Sequence, residues 1–262
     1  MIRLNENLRS AVHIMTSEIS GILEESNPSV YLYGSVVLND FKKGWSDIDL
    51  LVLTEKPISL DQAEKLVNLR QVLVEREGRN SLFRSFEGGM ISLDALLQDK
   101  KELAVYWGTS GQRIKEGYSL DSFAKYQIKN DSILVYGRDV RDRIETPANV
   151  ELYADVRRHY EAIRQYCVKT DRSIYSYGWF LDIARCIYTM RTGRIIAKTK
   201  AGEWALEQGL CPNRQALERA LAIRKNPALY LNDQTVQDDA EHQGEDVQRF
   251  ADVLELELNK LV

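Results

Sequence analysis

The residues that build metal and redox sites are scarce in this 262-residue chain, which holds only three cysteines and three histidines. Cys167, Cys186 and Cys211 are far apart and form no C-x-x-C pair, and His13, His159 and His242 are scattered. That spacing argues against a zinc site or a disulfide framework and points to buried thiols. No apolar run approaches the ~20 residues of a membrane helix. The polar start MIRLNENLRS has no apolar signal-peptide core, so a cytoplasmic protein is expected. Basic residues are not in excess: 35 Lys and Arg face 39 Asp and Glu, with a net charge of −4 and a pI near 5.6. A grip on nucleic acid would call for a basic excess. Mild acidity suits a small cationic partner better. A hydrophobic fraction of 44% and a charged fraction of 28% are those of an ordinary soluble chain.

The most informative stretch runs from Val30 to Thr54, VYLYGSVVLNDFKKGWSDIDLLVLT. Val30 to Tyr33 suits a strand. Gly34-Ser35 breaks it, and Asp47-Ile48-Asp49 opens a second apolar run, Leu50 to Leu53. Residues two apart on a strand share a face, so Asp47 and Asp49 are expected to project together while Ile48 enters a core. Paired carboxylates of this kind seat a hard cation such as Mg²⁺, which keeps waters and takes phosphate oxygens as further ligands. A glycine-containing turn admits a phosphate close to the backbone, and its N–H groups attract anions. A D-x-D pair alone is common in surface turns. Its joint occurrence with Gly-Ser at the ends of two strands resembles the DNA polymerase β-like nucleotidyltransferases. That resemblance implies that Gly34 and Ser35 hold nucleotide phosphates and that Asp47 and Asp49 hold the catalytic metals.

Around this stretch, apolar spacing predicts an amphipathic helix from Leu4 to Leu23 and a turn at Asn27-Pro28. A helix capped by Ser59 or Asp61 should run to about Glu75. Glu77 to Asn80 reads as a loop, and Ser81 to Leu93 as a third strand with Gly88-Gly89 as a bulge or close approach. Leu96 to Trp107 reads as helix, Ser110 to Gly117 as loop, Leu120 to Ile128 as helix and Ile133 to Gly137 as a last strand. Thr146-Pro147 marks a boundary, dividing residues 1–147 from an all-helical 148–262. Helices are expected near 152–167, 174–190, 197–208, 215–224 and 247–261, with Asp238 to Asp246 as an acidic connecting segment. The fold class is therefore α+β, a small mixed sheet with helices followed by a helical domain.

Group transfer to a hydroxyl needs a proton acceptor, and a carboxylate on a neighbouring strand can serve. Glu87 is the stronger candidate; Asp94 reads as the cap of the following helix. The order of these elements resembles the streptomycin/spectinomycin adenylyltransferases over nearly the whole chain. Ser46-Asp47-Ile48-Asp49 stands where that family has S-D-I-D, and Arg84-Ser85-Phe86-Glu87 where it has its catalytic glutamate. Leu181 to Arg185 resembles its L-x-x-x-R helix, Thr192 to Lys198 its T-G-x-I-x-x-K, and Glu203-Trp204-Ala205 the W-A of the next helix. Gly88-Gly89 departs from the family's β-branched pair.

The resemblance implies Mg²⁺-dependent transfer of AMP from ATP to a hydroxyl of an aminoglycoside-type antibiotic. Ser46, Asp47, Asp49 and Glu87 would serve the metal and nucleotide, and Arg185 and Lys198 the ATP phosphates. As cleft charges, these two cations are expected to add little to folding. Trp107, Asp171 and Tyr175 lie at or near the family's acceptor-contacting positions, and Asp182, one turn before Arg185, is placed either to pair with it or to face the substrate. A monomer acting without nucleic acid or membrane is expected. Another small acceptor such as a lincosamide, a protein acceptor and an inactive nucleotide-binding module remain as alternatives.

Overall fold

The structure is a computed structural model that describes residues 5–78, 81–108 and 111–260. Leu4, Arg79, Asn80, Ser110 and Leu261, each part of an expectation above, lie outside the described residues. The chain divides into two compact units, residues 1–41 with 46–146, and residues 42–45 with 147–262. Among the described residues, no helix is long and apolar enough to cross a membrane.

The first unit is built on a six-stranded mixed sheet: β1 (Pro28–Tyr33), β2 (Ile48–Thr54), β3 (Phe86–Ser92), β4 (Leu103–Gly108), β5 (Gly111–Glu116) and β6 (Ile133–Tyr136). Their order is β5-β4-β3-β2-β1-β6. Among the described residues, β2 and β3 pair parallel and the other neighbouring strands pair antiparallel. Helices α1 (Glu6–Ile22) and α2 (Leu60–Glu77) cover one face of the sheet. There Met15, Ile19, Ile48, Leu50, Val52, Leu66 and Trp107 form a continuous core. The other face packs Tyr31, Leu51, Leu53 and Ile91 with Leu120 and with Ile128 of α4 (Ser122–Asn130). The alternation along β2 thus sends Ile48, Leu50 and Val52 to one core and Leu51 and Leu53 to the other.

Ser59 caps α2 reciprocally: its Oγ accepts from the Gln62 N–H at 3.2 Å, and Gln62 Oε1 accepts from the Ser59 N–H at 3.0 Å. Such a cap stabilises a helix by about 1 kcal/mol. Asp61 instead pairs with Lys65.

Four expectations need correction, the first being the strand read from Ser81 to Leu93, which opens with a 3-10 turn, Leu82–Ser85, and is β3 only over Phe86–Ser92. The segment read as one helix from Leu96 to Trp107 is a short α3 (Leu93–Gln98) followed by β4. Ala104 and Val105 lie in opposite cores, so LAVYW loses the period-two signature of a half-buried strand. Most of the segment read as loop after it is β5, a polar strand at the sheet edge. Asp94 does not cap α3; Ser92 does, with its Oγ accepting from the Ala95 N–H at 3.1 Å. Gly88-Gly89 is a close approach: a Cβ at Gly88 would lie 1.8 Å from the Leu50 carbonyl oxygen, and one at Gly89 would enter the Tyr118 ring.

In the second unit, α6 (Gly178–Thr192) is the central helix. It packs against α5 (Asn149–Tyr166), α7 (Lys198–Glu207), α8 (Arg214–Lys225) and, beyond α9 (Gln234–Ala240), α10 (Gly244–Asn259). Part of the acidic segment 238–246 is therefore helical. All three cysteines are buried, and burial pushes their thiols up to about 12, which leaves them protonated.

Candidate active site

The register of the central strands gathers the carboxylates. Asp49 on β2 stands beside Tyr33 on β1 and beside Glu87 on β3. In-register neighbours share a face, so Tyr33, Asp49 and Glu87 leave the sheet together, on the side opposite α1 and α2. Asp47 precedes β2 and is exposed, while Asp49 and Glu87 are half-buried. The Ser35 hydroxyl donates to the Asp47 carbonyl at 3.1 Å, tying the β1 turn to the start of β2.

Gly34 has a φ of +70°, and a Cβ there would stand 2.0 Å from Asp49 Oδ2. Only glycine allows both the turn and the resting place of that carboxylate. The anionic cluster is flanked by groups that sequence reading did not single out. Burial, then Asp49, Tyr118, Asp121 and Glu87, hold the Tyr33 phenol well above its ordinary pKa. Burial, then Tyr106, Asp121 and Asp49, do the same for Tyr118. Both hydroxyls stay protonated near neutral pH. Arg70 of α2 lies within electrostatic reach of Glu87 and Asp47.

In the second unit, Arg185 Nη2 donates to Asp182 Oδ1 at 3.1 Å. Lys198 Nζ lies 2.9 Å from Asp182 Oδ1 and 3.0 Å from Oδ2. The Asp182 and Arg185 side chains are each 19% exposed and that of Lys198 30%. Burial pushes the Asp182 carboxyl upward, but Lys198 and Arg185 outweigh it and hold the group below the usual carboxylate range. The two cations expected to be loose cleft charges are therefore anchored on one enclosed carboxylate.

The other expected site residues have varied surroundings. Trp107 is fully buried on the α2 side of the sheet, its Nε1 donating to the Leu66 carbonyl at 3.0 Å. Its side chain has no surface to offer an acceptor. Asp171 accepts from the Ser173 N–H at 2.9 Å and the Ser176 hydroxyl at 3.0 Å, which shapes the turn before α6. Tyr175 donates to the Gly44 carbonyl at 2.5 Å, and its half-exposed ring lies 4.9 Å from that of Trp45; all three belong to the second unit. Ser46 is buried.

Asp47, Asp49 and Glu87 offer oxygen donors only, the chemistry Mg²⁺ prefers. Among the described residues, no three His, Cys, Asp or Glu side chains converge as a metal cage. Mg²⁺ is commonly held by one or two carboxylates plus phosphate oxygens and water, so this donor set fits an ion that arrives with a nucleotide.

Residues 17–87 match the family model of the nucleotidyltransferase domain. That match, together with the fold, makes the protein a nucleotidyltransferase. Residues 152–256 match the model of the aminoglycoside adenylyltransferase C-terminal domain. With both halves matched, the chain belongs to the aminoglycoside adenylyltransferase family. Among solved structures, it is similar to spectinomycin adenyltransferase AAD(9) from Enterococcus faecialis, crystallised with ATP and spectinomycin. That likeness has a TM-score of 0.63 and 18% identity, and it covers 94% of this chain and 99% of the other. At that identity it speaks for the fold alone. No curated protein matches the chain.

Proposed function

We propose that the protein transfers AMP from ATP to a hydroxyl of a small cationic antibiotic of the spectinomycin or streptomycin class, releasing pyrophosphate. The observation that carries this reading is the side-by-side placement of Asp49 and Glu87 on adjacent parallel strands. Both family matches support it, as does the likeness to a spectinomycin adenyltransferase crystallised with ATP and spectinomycin.

In this reading, the Gly34-Ser35 turn offers backbone N–H groups to phosphate oxygens, and Ser46 supports the same loop. Asp47 and Asp49, with Glu87 beside them, would hold Mg²⁺, which when bound neutralises charge on the phosphates. Glu87 takes the proton of the acceptor hydroxyl. The hydroxyl oxygen forms its bond to the α-phosphorus as the bond to the β-phosphate oxygen breaks, and pyrophosphate departs. Tyr33 keeps its proton and presents a donor beside the carboxylates. Arg185 and Lys198 are assigned to phosphate oxygens, held in place by Asp182 and in charge-assisted contact with the nucleotide. Asp182, already shared between two cations, is thereby assigned to the nucleotide side and not to the acceptor. Tyr175, beside Trp45, keeps an assignment to the acceptor, whose amines suit an aromatic face.

The test is mass spectrometry of pooled antibiotics incubated with ATP, Mg²⁺ and the protein. One aminoglycoside-type compound should gain a single AMP. Gain of AMP only on a lincosamide, or only on a polypeptide, would contradict the acceptor class.

A further inference from the structure

The start of β3 is paired with β2 on one side, Phe86 with Ile48 and Glu87 with Asp49, but its β4 side is held by something other than the ladder. β3 and β4 pair through Gly88–Trp107, Gly89–Tyr106 and Met90–Val105. One step further, Glu87 would face Gly108, but the paired register stops short of it. Arg70 reaches across from α2 at this point. Its Nη1 donates to the Phe86 carbonyl at 2.7 Å and its Nη2 to the Gly108 carbonyl at 3.3 Å. The Gln112 carboxamide of β5 also abuts the guanidinium and accepts from it once its oxygen and nitrogen exchange places, the orientation that satisfies both groups. One side chain thus ties together the ends of three strands, and one of its anchors is the carbonyl next to Glu87.

We propose that Arg70 is a positioning residue that fixes the Glu87 carboxylate for proton transfer; this rests on the assignment of Glu87 as the proton acceptor. Three observations converge on it. The Phe86 carbonyl that Arg70 holds belongs to the peptide bond that leads into Glu87. The planar guanidinium can bridge two carbonyls in fixed directions, whereas an ammonium is a point donor. Docking of α2 does not depend on Arg70, because Ala63, Leu66, Leu69 and Leu73 are buried against the core and Trp107 Nε1 bonds the Leu66 carbonyl one turn earlier. Burial of Arg70 disfavours its charge, and the electrostatic reach of Glu87, then Asp47, partly offsets that, so the guanidinium remains a cation.

Arg70→Gln and Arg70→Lys test this. Hydrogen exchange comes first, because it needs no turnover. In Arg70→Gln, amides of the Phe86–Gly89 segment should exchange at least ~10-fold faster, while those of α2 and of Met90–Ser92 keep wild-type protection. Unchanged exchange at Phe86–Gly89 overturns the proposal, and so does loss of protection throughout α2, which would make Arg70 a general packing residue. In AMP transfer to spectinomycin or streptomycin, kcat of Arg70→Gln should fall by at least ~10-fold with KM for ATP within about threefold, the signature of a misplaced group rather than lost binding. Arg70→Lys should recover less than about half of the lost kcat, because charge without the fork does not bridge the strands. A rise in KM for ATP at constant kcat, or full recovery in Arg70→Lys, overturns it. Wild-type turnover in Glu87→Gln would instead strike the reading beneath it, and exchange would still show whether Arg70 holds the strand.

Discussion

Replacing Gly34 with alanine separates backbone strain from loss of the carboxylate's place. At φ +70° an alanine sits in the left-handed region, which costs about 1–2 kcal/mol. For a chain of this size, each kcal/mol lowers Tm by roughly 2–4 °C. The added Cβ would also stand 2.0 Å from Asp49 Oδ2, where ordinary contact begins near 3.4 Å, so the carboxylate must move. A displacement of about 1 Å at a reacting centre costs on the order of 10²-fold in rate. Gly209 provides the control. It has a φ of +62°, and a Cβ there meets nothing within 4 Å. Gly209→Ala should therefore lose the same few degrees by calorimetry and keep full kcat/KM for AMP transfer. Gly34→Ala should show a similar Tm loss with kcat/KM down about 10²-fold or more. Equal activities in the two variants would refute the claim that the turn is shaped around Asp49.

Asp47→Asn and Asp49→Asn keep shape and remove charge, so turnover should fall by at least ~10³ with the melting curve preserved; near-wild-type turnover in either would remove it from the metal assignment. Glu87→Gln should bind ATP yet fail to transfer AMP. Asp94→Asn should be close to neutral in turnover and Tm, since Asp94 pairs with Arg143 in an exposed bridge. Lys198→Ala and Arg185→Ala should weaken ATP binding about tenfold to a hundredfold in calorimetry. Both should also lower Tm, because each deprives the enclosed Asp182 of a partner. Asp182 has a depressed folded-state pKa, so its stabilising contribution is full above the unfolded value near ~3.9 and is lost as pH falls through the folded one. The stability gap between wild type and Asp182→Asn should accordingly be constant near neutral pH and close in acid.

The parts of the fold legible in sequence were those where one signal dominates. β2 announces itself because two aspartates at one parity meet an uninterrupted apolar run, and α2 because an amphipathic stripe follows a capping serine. β4 was illegible because both of its faces are buried, and β5 because an edge strand of polar residues carries no core-facing period. Trp107 illustrates the limit on site residues. Position along the chain suggested an acceptor contact, but strand parity turns the indole toward α2, and that parity became readable only once β4 was known to be a strand. Arg70 gave no sequence signal, since a single arginine on an amphipathic helix looks like a solvated charge. Asp182, Arg185 and Lys198 were found through motif resemblance, whereas their joint enclosure depends on how α6 and α7 pack.

The central claim is nucleotidyl transfer at the strand carboxylates, and ATP labelled separately at the α- and γ-phosphate tests it most directly. With wild-type protein, Mg²⁺ and spectinomycin or streptomycin, the α label should move to the antibiotic and the γ label should appear in pyrophosphate. With Glu87→Gln neither should move. Transfer of the γ label to the antibiotic, or α-label transfer undiminished in Glu87→Gln, would contradict the account.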